Sequence, residues 1–256
     1  MCRIIQVRRR KRRVKRNVAR NSSNNDNFLN IARNLIRDTS HINKFGYNES
    51  VGASFEHITD LGTNVLPTSA GVVTLVSAST DDASDGTGAR TVEVQGLDEN
   101  YLPLTETFTM NGTTNVVSSS SFLRVFRMRA LTTGTGEINA GNITASIGGS
   151  NVAQILADKG QTLMAVYTIP AGKSGYLTKI QGSLSKNQEA VFKIRVKEFG
   201  KGFNVRGQFG TFSQSINYDY LVPLQFKEKT DIQILGKAGA TSEMGAVFDI
   251  ILIDGA

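Results

Sequence analysis

Through most of this chain, apolar and polar residues alternate with a period of two, and that pattern confines it to half-buried β-sheet. Thr91 to Leu97 places Val92 and Val94 on one face and Glu93 and Gln95 on the other. Phe126, Met128 and Ala130 alternate with Arg127 and Arg129, and Phe192, Ile194 and Val196 alternate with Lys193, Arg195 and Lys197. Successive side chains of a strand leave opposite faces, so each segment turns an apolar face to a core and a charged face to solvent, as antiparallel strands do. Between the alternating stretches lie Asp85-Gly86, Asn111-Gly112, Gly148-Gly149, Pro170-Ala171-Gly172 and Gly200 to Gly202, residues that supply the positive φ of tight hairpin turns.

These signals predict an all-β fold of antiparallel β-sandwich or jelly-roll-like units, two in tandem, with about a dozen strands. The abundance of Gly (25) and scarcity of Pro (4) agree with it. A single helical pattern interrupts it: Phe28, Leu29, Ile31, Ala32, Leu35 and Ile36 share a helical face behind Asn25 or Asp26 as N-cap, predicting a helix over roughly 27 to 38. The chain is expected to divide into a basic arm and polar linker (1–26), a short helix and connector (27–45), a first sandwich (46–150) and a second, jelly-roll-like sandwich (151–256).

Charge is segregated. Residues 1–20 hold ten of the 29 Lys and Arg and no acid, which leaves 19 cations against 22 acids, a net −3, on the rest of a chain whose total is +7. Ten mutually repelling cations with few apolar residues between them bury too little to offset chain entropy, so this arm needs a partner to become ordered. Arg8, Arg9, Arg10, Lys11, Arg12 and Arg13 form an unbroken run, followed by Lys15 and Arg16. Guanidinium groups bind phosphate bidentately and release condensed counterions, so these residues suit nucleic acid or another polyanion; acidic surfaces of adjacent subunits and a targeting signal are the alternatives.

Catalytic patterns are sparse. His41 and His57 are the two histidines, and with Glu56 or Asp60 they match no recognised metal-ligand spacing, so each reads as a surface or edge histidine. Asp81, Asp82 and Asp85 lack the order of a calcium loop and read as a solvated hairpin tip. Ser118 to Ser121 have no nucleophile elbow around them, and Gly200-Lys201-Gly202 lacks the strand-to-helix context of a phosphate loop. No catalytic residue, cofactor or metal is therefore expected, and no enzymatic activity. With Cys2 as the single cysteine, no internal disulfide can form, and no apolar run approaches the ~20 residues of a membrane span.

Several stretches resemble virion structural proteins, of the β-sandwich minor-capsid or decoration type, from tailed phages and other double-stranded DNA viruses of aquatic hosts. They are His41-Ile-Asn-Lys-Phe-Gly-Tyr-Asn48, Gly86-Thr-Gly-Ala-Arg-Thr-Val-Glu-Val-Gln-Gly-Leu-Asp98, Thr107-Phe-Thr-Met-Asn-Gly112, Phe122-Leu-Arg-Val-Phe-Arg127, Gln161-Thr-Leu-Met-Ala-Val-Tyr-Thr-Ile-Pro-Ala-Gly172 and Lys227-Glu-Lys-Thr-Asp-Ile232. The resemblance spans about residues 41 to 254 and implies a non-enzymatic particle component, at a capsid or vertex, located in the virion. The partners it implies are other virion proteins, the major capsid protein foremost, and further copies of the chain. Nucleic acid enters only through residues 1–20, which lie outside the resemblance, and no membrane partner is expected. A tail, neck or fibre component and a genome-binding jelly-roll coat protein are the alternative readings.

Overall fold

The computed structural model describes residues 27–212 and 215–255. Among them are one helix and sixteen strands, and every strand pairing is antiparallel. The helix, α1 (Asn27–Ala32), is shorter than the 27–38 expected. Asn34 and Asp38 adopt positive φ (54° and 57°), the left-handed conformation that terminates helices, and Ile31 is its one buried residue.

A four-stranded and a five-stranded sheet face each other across the larger core. One runs in the order β1 (Thr39–Val51), β16 (Ser242–Asp254), β11 (Lys173–Leu184), β14 (Ser215–Phe226). The other runs β10 (Val166–Thr168), β15 (Asp231–Ala238), β12 (Ala190–Lys197), β13 (Phe203–Thr211), with the short β2 (Glu56–His57) beside β15. Followed along the chain, these eight main strands fall in the first, second, first, second, second, first, second and first sheet. That order is two interlocked Greek keys, a jelly roll.

The remaining strands lie between β2 and β10 in sequence and form two smaller sheets. These are β6 (Val116–Phe122), β3 (Gly71–Ser77), β8 (Ile143–Ile147), β9 (Ser150–Ile155), and β5 (Pro103–Thr109), β4 (Ala89–Leu97), β7 (Arg124–Thr133). The smaller sandwich is thus an insertion in the connection between the jelly roll's first two main strands. β1 crosses the expected start of the first unit at residue 46 and pairs with β16 from Thr39↔Ile253 to Val51↔Ser242. Its inward positions are Ile42, Lys44, Gly46 and Asn48, so no hydrophobic alternation announces it.

Two cores result, and they meet along a seam. One gathers Val73, Leu75, Val92, Phe122, Met128 and Ile155 of the insertion; the other gathers Leu177, Phe192, Ile194, Ile234, Phe248 and Ile250 of the jelly roll, with Val51 and Ile58. At the seam, consecutive residues of one extended segment serve both: Met164 and Val166 belong to the first core, Ala165, Tyr167 and Ile169 to the second. β7 is shared in the same way. Gln95 pairs with Arg127 and Gly96 with Val125, so Phe126 is an extra residue in a bulge. The bulge turns Phe126 away from Met128, with which the alternation grouped it, onto the jelly-roll core, where its ring lies 4.9 Å from that of Tyr167.

Two polar devices fix this geometry. Gly46 lies beneath the crossing chain so closely that a Cβ would stand 2.1 Å from the Ile58 carbonyl oxygen and 2.3 Å from the Ala165 nitrogen. Arg124 of β7 reaches Asp231 of β15 with Nε to Oδ1 at 2.8 Å and Nη2 to Oδ2 at 3.1 Å, a two-pronged pair with both side chains under a tenth exposed. Its Nη1 donates to the Pro67 and Leu123 carbonyls (2.8 and 2.9 Å), and the Thr168 hydroxyl donates to Asp231 Oδ1 (2.7 Å). A buried ion pair stabilises only when its remaining donors and acceptors are occupied, as these are.

Asp82 corrects an expectation. The reading of a solvated tip fails for it, since it is fully buried and accepts from Ser77 Oγ (2.6 Å) and from the backbone nitrogens of Ala89, Ala140 and Gly141 (2.7 to 2.9 Å). Its carboxylate gathers three loops at one end of the insertion.

Removing one member of the seam pair leaves the other as an unpaired buried charge, so Arg124→Ala is expected to cost roughly 3–5 kcal/mol in chemical denaturation. Combined with Asp231→Ala, the loss should fall well short of the two single losses added together. Additive losses would show that the pair does not join the sandwiches.

Candidate assembly surface

The two flanks of the jelly roll differ. The flank carrying β1 and β10 is closed by the insertion: the Lys44 ammonium donates to the Phe126 carbonyl, Arg127 Nη2 donates to the Asn43 carbonyl (3.2 Å), and Phe126 packs on Tyr167. The opposite flank is formed by β13 and β14, the outermost strands of their sheets. An edge strand presents unpaired N–H and C=O groups, and proteins usually blunt such edges with charge or cover.

Among exposed polar and charged residues such as Arg206, Gln208 and Asp219, this flank also carries exposed apolar side chains. Phe212 is 79% exposed, Val222 77% and Leu221 100%. The cause lies in β14. Leu177 pairs with Leu224 and Lys179 with Asp219, so residues 220–223 face Thr178 alone and bulge from the ladder. Pro223 has no N–H to offer that ladder, and the bulge pushes Leu221 and Val222 outward. Behind them the flank is firm: Tyr218 lies 5.0 Å from Phe209 and 4.8 Å from Tyr220, ring centre to ring centre. Exposed apolar side chains grouped on an edge strand are a mark of protein–protein contact.

The arm residues Arg8, Arg9, Arg10, Lys11, Arg12, Arg13, Lys15 and Arg16 lie outside the described residues. The other candidates are scattered. The exposed His41 of β1 has Nε2 2.9 Å from Asp249, whereas His57 lies on β2 with Nε2 3.0 Å from Arg195 Nη2 and 3.1 Å from Gln233 Oε1. Burial pushes His57 below the usual histidine range, with the Arg195 charge adding to the effect and the Gln233 hydrogen bond opposing it. Ser118 is buried, donating to the Ser120 carbonyl and accepting from Val73 N. Among the described residues, no three His, Cys, Asp or Glu are grouped to hold a metal ion. Leu221 and Val222 are the surface residues that sequence reasoning missed, although a proline inside a strand-like run was the available signal.

No family model matches the chain, and no curated protein matches it. Solved structures similar to it include that of infectious bursal disease virus, Gx strain (9% identity, 85% of this chain and 72% of that chain covered, TM-score 0.25). The Gt strain of the same virus (11%, 85% and 73%, TM-score 0.21) and its VP2 subviral particle (9%, 86% and 73%, TM-score 0.20) are others. Likeness at this level assigns no function, and the jelly roll stands on the strand pairings alone.

The seam also holds titratable groups without ion partners. Burial, then the nearby Arg127 charge, hold Lys44 well below the usual lysine range. Asp60 accepts from Leu163 N at 2.5 Å through Oδ2, while its buried Oδ1 has no hydrogen-bond partner among the described residues. Burial chiefly, and then Glu49, raise its carboxyl to about 7. A carboxyl raised on folding holds its proton in the native state after the unfolded chain has released it. Stability is therefore expected to fall as pH rises from about 4 to about 7. Asp60→Asn should remove that loss and gain on the order of 1–3 kcal/mol at pH 8, with no gain at pH 4. Equal gains at both pH values in denaturant titrations would contradict a buried, protonated Asp60.

Proposed function

We propose that this chain is a structural component of a virus particle: a jelly-roll capsid subunit that packs on its neighbours through the β13–β14 flank. The observation that carries this is the pairing of a complete eight-stranded jelly roll with an uncovered flank from which Leu221 and Val222 protrude, opposite the flank closed by the insertion. Jelly rolls also occur in lectins and cupins. Those bind ligands in pockets, whereas this chain's most conspicuous surface feature is a protruding apolar bulge.

Within the particle, a shell-building coat subunit fits best, because an arginine-rich arm precedes the jelly roll and would hold genome by counterion release. A cement, vertex or minor capsid role is the second reading, favoured by the motif resemblance of residues 41 to 254. A tail, neck or fibre component is a third station. The division of the chain near residue 150 into two units belongs to this proposal, with β9 (Ser150–Ile155) kept by the first unit and β1 and β2 lent by the first stretch of sequence to the second. The arm reaches the genome or an adjacent subunit in either capsid role, and neither role requires catalysis or a cofactor.

Leu221→Asp together with Val222→Asp tests the reading. Both side chains are exposed, so folding stability should stay within about 0.5 kcal/mol of the parent. Recovery of the variant in purified particles should fall at least tenfold by sedimentation and immunoblotting. Normal incorporation would remove the flank from the proposal, and finding the parent chain in infected-cell lysate but never in purified particles would overturn the virion role. Deleting residues 1–20 should abolish the greater part of salt-sensitive nucleic-acid binding; unchanged binding would count against the arm.

A further inference from the structure

The net −3 of the chain beyond residue 20 hides a concentrated positive face. On the outer side of the β15–β12–β13 sheet, Lys193, Arg195 and Lys197 follow one another at alternate positions of β12, and Lys237 of β15 lies opposite Val191 in the same ladder. Alternate residues of a strand stand about 6.6 Å apart, so the three β12 cations form an evenly spaced row.

None of the four has a carboxylate within ion-pair distance among the described residues. Three of the acids that border the row have partners of their own, and Glu189, just before β12, makes no ion pair with the row. Asp231, opposite Lys197, is taken by Arg124 and Thr168; Glu56 accepts from Gly52 N at 3.0 Å; Glu198 pairs with Lys201 at 2.8 Å. Lys193 is held below the usual lysine range by burial and by the charges of Arg195 and Lys237.

Aromatic rings interleave with these cations. Lys193 Nζ lies 3.5 Å from the centre of the Phe55 ring and Lys237 Nζ 5.3 Å from it, while the Arg195 guanidinium carbon lies 4.2 Å from the centre of Phe203. Phe203 is 40% exposed, and Val205 beside it, opposite Arg195, extends the apolar strip. Cation–ring packing holds the charges in place without neutralising them. A row of cations without ion-pair partners, set beside the half-buried Phe55 and the exposed Phe203, complements a flexible chain that carries phosphates on one edge and flat bases on the other.

We infer that this face is a second nucleic-acid site, distinct from the arm, which takes a single strand with its phosphates along Lys193, Arg195, Lys197 and Lys237 and bases against Phe203 and Phe55. The basic arm cannot occupy it, because like charges would meet. The inference goes beyond the virion reading and is tested on the purified chain, so it stands or falls apart from whether the chain enters particles.

The test compares the full chain with a variant carrying Lys193→Gln, Arg195→Gln, Lys197→Gln and Lys237→Gln, titrating a fluorescent single-stranded oligonucleotide across a range of salt concentrations. Each phosphate contact contributes about 0.7 to the slope of log affinity against log salt. Loss of four contacts should therefore lower the slope by up to about 3 while the arm's contribution remains. An unchanged slope in a variant with the parent's circular dichroism spectrum would overturn the site.

Because the quadruple variant could unfold, a second measurement uses the unaltered chain: photocrosslinking of a bromouridine-substituted strand, followed by peptide mapping. Adducts on peptides containing Phe55 or Phe203 support the site. Adducts confined to residues 1–20 overturn it, as does displacement of the strand from this face by polyglutamate at equal charge concentration, which would make the face a generic acceptor of acidic protein.

Discussion

The bidentate contact between Arg124 and Asp231 is the constraint on which this architecture turns. One residue starts β7 of the insertion and the other starts β15 of the jelly roll, 107 positions away in sequence, and both are buried. Alone, either charge would be costly to bury. Together, with Thr168, Pro67 and Leu123 occupying the remaining groups, they fix how the two sandwiches meet. The hydrophobic seam then follows: Phe126 and Tyr167 reach the jelly-roll core while Val125 and Val166, their neighbours in sequence, reach the other.

This seam also determines which surface is left free. The insertion leaves the jelly roll between its first two main strands and folds back over that flank, so the strands at the other end of both sheets stay uncovered. Edge strands in a monomer are normally guarded by charge. On β14 the bulge at 220–223 does the opposite and presents Leu221 and Val222 to solvent. A fold closed on one flank, with apolar side chains protruding from the other, is suited to lateral packing, in which geometry comes from the rigid sandwich and affinity from a few buried anchors.

Much of the fold was legible in the sequence because period-two alternation directly encodes a half-buried sheet. Phe192, Ile194 and Val196 face the core as that pattern requires, and Lys193, Arg195 and Lys197 face outward. What escaped was whatever a single bulge or a polar inward position hides. Phe126 changes core through one extra residue in β7, and β1 turns Lys44, Gly46 and Asn48 inward, so its strand character leaves no hydrophobic trace. Asp82 looks like a solvated tip in sequence because three of its four donors come from segments 7 to 59 residues away. The surfaces fared likewise: the cationic row on β12 was visible as a polar face, but only the strand pairing places Lys237, Phe55 and Phe203 around it.

In the proposed role, β13 and β14 form a subunit contact inside a particle. A cryo-electron microscopy map of purified particles, at a resolution that traces side chains, tests it most directly. The jelly roll is expected within the particle, with Leu221 and Val222 buried against another polypeptide and the seam around Arg124 and Asp231 intact. A map that places this flank in solvent, or that contains no density for the chain, would contradict it.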